Sequence, residues 1–214
     1  MASTLTGKTK VAIVGFCQPH RDWVPYDDPE LEVWGLNRGY IFMQRYERWF
    51  ELHGEHIYGS KQRRPGQHTE WLRTFGGPVY MHEKHEDIPT SIPYPLLEVA
   101  QALGPLVLRV GTQTENPAKP QSTSGQGTWI ASGVKDMTGE PYLSSTIAYE
   151  LALAIYEGFE EIHLYGVDLN TESEYAWQKP GTEYLIGVAV GRGIRVVIPD
   201  NCALLKAPLY GRGY

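Results

Sequence analysis

Cysteine is scarce. The chain of 214 residues holds two, Cys17 and Cys202, far apart and outside any CxxC pair. That pattern excludes the usual redox and zinc motifs. Long apolar runs are missing as well, and no stretch approaches the roughly 20 apolar residues of a membrane span. Residues Met1 to Lys10 are polar and carry no apolar h-region, so no secretory signal is expected. The expected setting is a reducing cytoplasm. Positive charge is also in short supply. Formal net charge is −6, which argues against non-specific binding to nucleic acid, since phosphate neutralisation needs clustered Lys and Arg. The one basic run, Lys61-Gln62-Arg63-Arg64, reads as a solvated loop; a nucleic-acid acceptor, though not indicated by charge, would have to meet it there. A GxGxxG dinucleotide fingerprint is lacking too.

What is present is globular composition. Hydrophobic residues make up 42% and charged residues 21%, which excludes intrinsic disorder. A chain of this length forms one domain, 1–214, and buries roughly 70% of its unfolded surface. It needs no disulfide or metal to fold.

Short apolar runs alternate with helical patterns. Val11 to Gly15 reads as a buried first strand, Leu31 to Leu36 as a second and Arg48 to Leu52 as a third. Pro78 to Met81 is a short fourth, and Leu106 to Leu108 a fifth strand or an edge piece. Ser145 to Gly158 has apolar residues at Ile147, Leu151, Ala154 and Ile155, one face of a helix, with Ser144 or Ser145 as N-cap and Gly158 as stop. Glu161 to Val167 is the next strand, Thr182 to Gly191 a second helix, and Ile194 to Ile198 the last strand. This alternation predicts an α/β fold: a doubly wound, mainly parallel sheet in three layers. Thr112 to Pro141 is polar and aperiodic. It predicts a lid loop, with a surface insertion of no function as the equal alternative.

In such a sheet the ligand sits beyond the carboxyl ends of the strands. Gly15, Asn37, His53, His82 and Asp168 fall there. Gly15 and Gln18 belong to a turn that could bring backbone close to a ligand, or to a plain tight turn. Ser144, Ser145 and Thr146 open a helix whose N-terminus suits phosphate; simple capping is the alternative. Gly166 permits close approach and Asp168 could accept from a sugar or base donor, hold a metal, or cap the following turn. Tyr175, Gln178 and Tyr184 border an aromatic, polar stretch suited to stacking. Glu183 is a candidate acid, base or nucleophile, against the plain reading of a Glu in a first helical turn. His53, with Glu51 beside it, is a candidate general base. His53, His56, His82 and His85 lack metal-ligand spacing, so no metal is assigned.

Ser144-Ser145-Thr146, the turn at Glu157 to Ile162, and Leu164-Tyr165-Gly166-Val167-Asp168 together resemble the bacterial sialyltransferase fold. They are also similar to the hydroxymethylpterin diphosphokinase-like family. Trp34 to Asn37 and Ile198 to Leu205 fit the same order of parts. Trp49 to His53 and Glu174 to Gly187 further resemble small phage-encoded proteins, which would put the chain in a host cytoplasm. The resemblance implies a Rossmann-like fold and a nucleotide substrate, with Asn37, Ser145 and Thr146 against the nucleotide and Gly166 near its ribose. Tyr175 or Tyr184 would stand for the phosphate-facing tyrosines. Those enzymes carry a catalytic His after the xGxD strand. Here no His follows His163, so His53, Glu51 or Asp168 must supply the base. The expectation is a nucleotide-dependent transferase, a glycosyltransferase with a nucleotide-sugar donor and no tightly bound cofactor. An N-glycosidase or deoxyribosyltransferase acting through Glu183, and a non-catalytic nucleotide-binding protein, stay open. So does a homo-oligomer.

Overall fold

A computed structural model describes residues 6–54, 67–103, 143–169 and 174–206, with 174–176 as backbone. Seven strands form one sheet: β1 (Lys10–Val14), β2 (Leu31–Leu36), β3 (Arg48–Phe50), β4 (Val79–Met81), β5 (Ser91–Pro93), β6 (Glu161–Tyr165) and β7 (Arg195–Val197). All pairings are parallel and the order is β5-β4-β3-β2-β1-β6-β7. The chain walks outward from β1 to β5, then returns to the other side of β1. The direction of winding therefore reverses between β1 and β6.

The helices are α1 (Gln67–Thr74), α2 (Leu96–Leu103), α3 (Thr146–Glu157) and α4 (Glu174–Gly191). Strand alternation decides which face each covers. Val11, Ile13, Trp34, Leu36 and Phe50 pack with residues of α2, α3 and α4. Ala12, Val14, Val33 and Trp49 face the other way, toward Leu72 of α1 and the loops after β1 and β2. The result is the expected three-layer, doubly wound α/β sheet. No helix among the described residues is long and apolar enough to cross a membrane.

Local chemistry explains the clearest element. Ser145 is extended and its side chain accepts from Ala148 N, capping α3. Gly158 takes a left-handed φ of 83° and its N–H reaches the carbonyls of Ala154 and Ile155. Phe159, whose N–H donates to Ala154 O at 3.2 Å, then turns into the core. This is a left-handed glycine stop with its usual apolar contact.

Three expectations change. First, α4 starts at Glu174, not Thr182, and Pro180 lies inside it. A proline interior to a helix costs a hydrogen bond, but hydroxyls tie this turn: Thr182 Oγ1 and Ser144 Oγ both donate to Gln178 O. Second, α1, α2 and β5 arise where no element was expected. Strand β5 is a three-residue edge strand ending in Pro93, a position where proline breaks no ladder on its outer side. Third, β3 and β6 end earlier than their apolar runs, at Phe50 and Tyr165. The candidate strand at 106–108 and the expected lid at 112–141 lie outside the described residues.

At the amino end of the sheet a buried charge cluster locks the layers. Arg48 is 1% exposed and bonds Glu32 Oε1 at 2.5 Å and Glu157 Oε1 at 2.6 Å. Its guanidinium lies over Trp34 at 4.7 Å, while Trp34 Nε1 donates to Glu32. Burial alone would lower the pKa of Arg48. The hydrogen bond to Glu157 and the charge of Glu32 outweigh it and hold the group above its ordinary value.

Candidate active site at the carboxyl end of β3

Glu51 follows the last residue of β3 and keeps the ladder, its N–H donating to Tyr80 O. Two residues on from Trp49, its side chain turns to the α1 face, where it is 1% exposed. A carboxyl there must be paired or neutral. It is paired twice. Oε1 lies 2.7 Å from His53 Nδ1 and also accepts from His53 N; Oε2 lies 2.7 Å from His68 Nε2. Burial would raise the Glu51 pKa, but the hydrogen bonds from His53 and His68 outweigh it and hold the carboxyl below its ordinary value.

An ionised carboxylate only accepts, so both imidazole nitrogens that face it are donors. The bond fixes His53 as the Nδ1–H tautomer when neutral, and Nε2 becomes its basic nitrogen. The His53 side chain is 36% exposed, while that of His68 is 7% exposed. His68 is the second residue of α1 and stacks on Tyr40 at 5.6 Å, itself stacked on Trp71 at 4.2 Å. The helix and its aromatic stack hold the inner histidine; the outer one reaches solvent.

Asn37 stands beside this group. Leu36 pairs with Phe50 in register, so Asn37 and Glu51 are the next residues on adjacent strands, about 5 Å apart. Asn37 has φ 50°, a conformation Asn tolerates better than most residues. Its N–H donates to Phe50 O and its carbonyl accepts from Trp49 Nε1. Its Oδ1 is buried and accepts no hydrogen bond. His82, at the end of β4, packs edge-on against Tyr149 of α3 at 5.9 Å, on the opposite face.

The other expected site residues with described side chains make contacts within the chain away from Glu51. Gly15 and Gly166 do approach backbone closely, but the backbone is each other's. A Cβ on Gly15 would meet Gly166 O at 2.5 Å, and one on Gly166 would meet Gly15 O at 2.8 Å. Cys17 N donates to Gly166 O, closing the contact. Gln18 bonds exposed Asp22 at 3.1 Å. Ser145 caps α3 and Ser144 ties α3 to α4; Thr146 begins the helix. Asp168 Oδ1 accepts from Ala203 N, and Glu183, deep within α4, accepts from Leu205 N and lies 3.7 Å from Lys179. Gln178 offers its carbonyl to two hydroxyls, and Tyr184 packs against the core. The side chain of Tyr175 lies outside the described residues, as does His56.

Thus His53 and Glu51 come together, Asn37 follows the neighbouring strand beside them, and the other described candidates lie elsewhere. His68 completes the group although nothing in Gln67-His68-Thr69-Glu70 marks it as a site residue. Its only sequence signal is a histidine in a segment with few apolar residues. Among the described residues no group of three or more His, Cys, Asp or Glu side chains is set to hold a metal ion. Both histidines turn their inner nitrogens to the carboxylate rather than to a common point. Compared with known proteins, the chain matches no family model, no curated protein and no solved structure.

Proposed function

We propose that this chain is a nucleotide-dependent transferase, a glycosyltransferase that takes a nucleotide-sugar donor and uses His53 as the base on the acceptor. The observation that carries the reading is the buried Glu51 carboxylate bonded to His53 Nδ1 at 2.7 Å. A hydroxyl acceptor must lose a proton as it attacks the anomeric carbon. His53 Nε2 takes that proton, the oxygen–carbon bond forms, and the sugar–phosphate bond breaks with its electron pair going to the nucleotide. Glu51 stabilises the imidazolium so formed, and general base catalysis of this kind is worth roughly 10²- to 10⁴-fold. The position supports the reading too, since ligands of open α/β sheets bind at the carboxyl ends of the strands. Of the residues expected at the donor, Asn37 has a buried acceptor to offer. Gly15, Ser144 and Ser145 are engaged in the fold.

The glycosidase reading loses its cue, because Pro180 to Glu183 lies within α4 and does not open it. Glu183 is also occupied by the Leu205 N–H. Nucleotide release from a panel of nucleotide sugars, with a hydroxyl acceptor mixture present, tests the proposal. His53→Ala should lower release by at least roughly 10²-fold in a protein that still unfolds cooperatively, with a reduced Tm because buried Glu51 loses one partner, and Glu51→Gln should also lower release. Equal release by wild type and His53→Ala would refute the assignment of the base. Binding without release would favour the non-catalytic nucleotide binder.

A further inference from the structure

The loop after β1 and the turn after β2 meet in an arrangement that the core does not require. Phe16 directly follows Gly15, yet its side chain leaves the protein interior and is 39% exposed. Its ring packs edge-on to Phe42 with centroids 5.4 Å apart. Arg21 lays its guanidinium over the Phe42 ring at 4.1 Å and donates from Nη1 to Phe16 O at 3.0 Å. Gly166 makes room for this crossing, since a Cβ there would lie 2.8 Å from Arg21 Cβ. Arg21 Nε is buried and makes no hydrogen bond; Asp22 Oδ1 lies 3.5 Å away as an ion-pair contact. Ile41, next to Phe42, is 66% exposed.

Location adds to composition. The strand order reverses between β1 and β6, and in open α/β sheets that reversal opens the ligand crevice. Phe16 and Arg21 lie on the loop that leaves β1 at this point. Asn37, whose buried Oδ1 has no hydrogen-bond partner among the described residues, directly follows β2, just before the turn that leads to Ile41 and Phe42. An exposed ring braced by a second ring, a cation stacked on that second ring, and an acceptor at the same carboxyl rim, just past the adjacent strand β2, suit a flat heterocycle that carries N–H donors and a negative charge. Every base has a π-face to stack, and a phosphate is drawn to a guanidinium.

We propose that Phe16, Phe42 and Arg21 form the stacking platform for the base of a bound nucleotide, with Asn37 Oδ1 accepting from the base or ribose. The proposal rests on the nucleotide reading above and names the part of the ligand that reading left unplaced. Isothermal titration with uridine, cytidine, adenosine and guanosine diphosphates, and with ribose 5-phosphate, tests it. Wild type should bind at least one of the four diphosphates. Phe16→Ala should weaken that binding roughly 5- to 150-fold, the measured range for loss of one stacking ring. Phe16→Tyr should restore it, and ribose 5-phosphate, which has no base, should bind both variants as it binds wild type. A diphosphate that binds Phe16→Ala as tightly as wild type overturns the platform and leaves the transferase reading standing. No binding of any diphosphate by wild type overturns both. Because Phe16 is exposed, its Tm in the alanine variant should stay within a few degrees, which separates lost stacking from lost folding.

Discussion

Replacing Glu150 with methionine should stabilise the protein, and by more at pH 8 than at pH 5. Glu150 lies in the second turn of α3 and is 0% exposed. Among the described residues neither carboxyl oxygen has a hydrogen-bond partner. The neighbouring Tyr94 hydroxyl donates instead to the backbone carbonyl of Tyr149. Burial pushes the Glu150 pKa well above its ordinary value. The folded pKa is thus higher than the unfolded one, so folding takes up a proton. Stability linked to this group is fully present below the unfolded value of about 4.3 and falls as pH rises toward the folded value, by about 1.4 kcal/mol per pH unit. A neutral carboxyl without a partner adds a pH-independent cost of about 1–3 kcal/mol. Methionine, of similar length, removes both. At pH 5 the gain should be near the pH-independent part, equivalent to a rise in Tm of roughly 2–12 °C for a chain of this size. Urea unfolding of wild type, Glu150→Met and Glu150→Gln at pH 5 and pH 8 measures it. Glutamine should flatten the pH dependence while keeping an unpaired polar group. A methionine variant that is less stable than wild type at both pH values would refute the argument, because it would mean the carboxyl has a partner that stabilises it.

Arg48→Met leaves Glu32 and Glu157 buried without their cation, and should cost about 3–5 kcal/mol in urea unfolding. Gly15→Ala and Gly187→Ala should act in opposite directions. The first drives a Cβ to 2.5 Å from the Gly166 carbonyl and should cost about 1–3 kcal/mol. The second meets nothing within 4 Å inside α4 and should gain about 0.4–1 kcal/mol, both read as shifts in Tm. Glu51 has the opposite linkage to Glu150. Its folded pKa is lowered, chiefly because the hydrogen bonds from His53 and His68 outweigh burial, so its contribution is present above about pH 4.3 and is lost as pH falls through the folded value. Glu51→Gln should therefore flatten the loss of stability on acidification, measured by urea unfolding from pH 3 to pH 6.

The legible parts of the fold are those whose causes are local. Helix α3 carries its cap, its apolar face and its left-handed stop within fourteen consecutive residues, Ser145 to Gly158, and the sequence reading places it to within a residue. Strands β1, β2 and β6 are read from apolar runs buried in the middle of the sheet. Helix α1 is hidden because Gln67–Thr74 contains two apolar residues, Trp71 and Leu72. Its burial comes from Trp71, which stacks on Tyr40 and meets Trp49 edge-on, partners distant in sequence; its contact with Phe75 alone is at helical spacing. Proline obscured two elements: Pro180 reads as a helix boundary but lies within α4, and Pro93 ends a strand where the sequence reading assigns no element.

Strand-end position points to a rim of the sheet but does not separate a carboxylate beside an imidazole from one that fastens backbone. Asp168 and Glu51 both follow a strand at its carboxyl end and both carry an acceptor. Asp168 receives the N–H of Ala203, and around it Lys179 bonds Ala203 O, Glu183 takes the Leu205 N–H and His20 bonds Asn201. On the β6 side, acids and a base are consumed in holding the segment after β7. Among the described residues the Glu51 carboxylate meets the His53 N–H and two imidazoles, one of which reaches solvent. A carboxylate bonded to a backbone N–H keeps its charge and exchanges nothing, whereas one bonded to an imidazole sets the basicity of a group that can take up a proton near neutrality. Asp168 and Ala203 lie 35 positions apart and Glu51 and His68 lie 17 apart, so neither pairing can be read from local pattern. The candidate site is therefore chosen by what each strand-end carboxylate touches: a backbone N–H at β6, and at β3 an imidazole that reaches solvent.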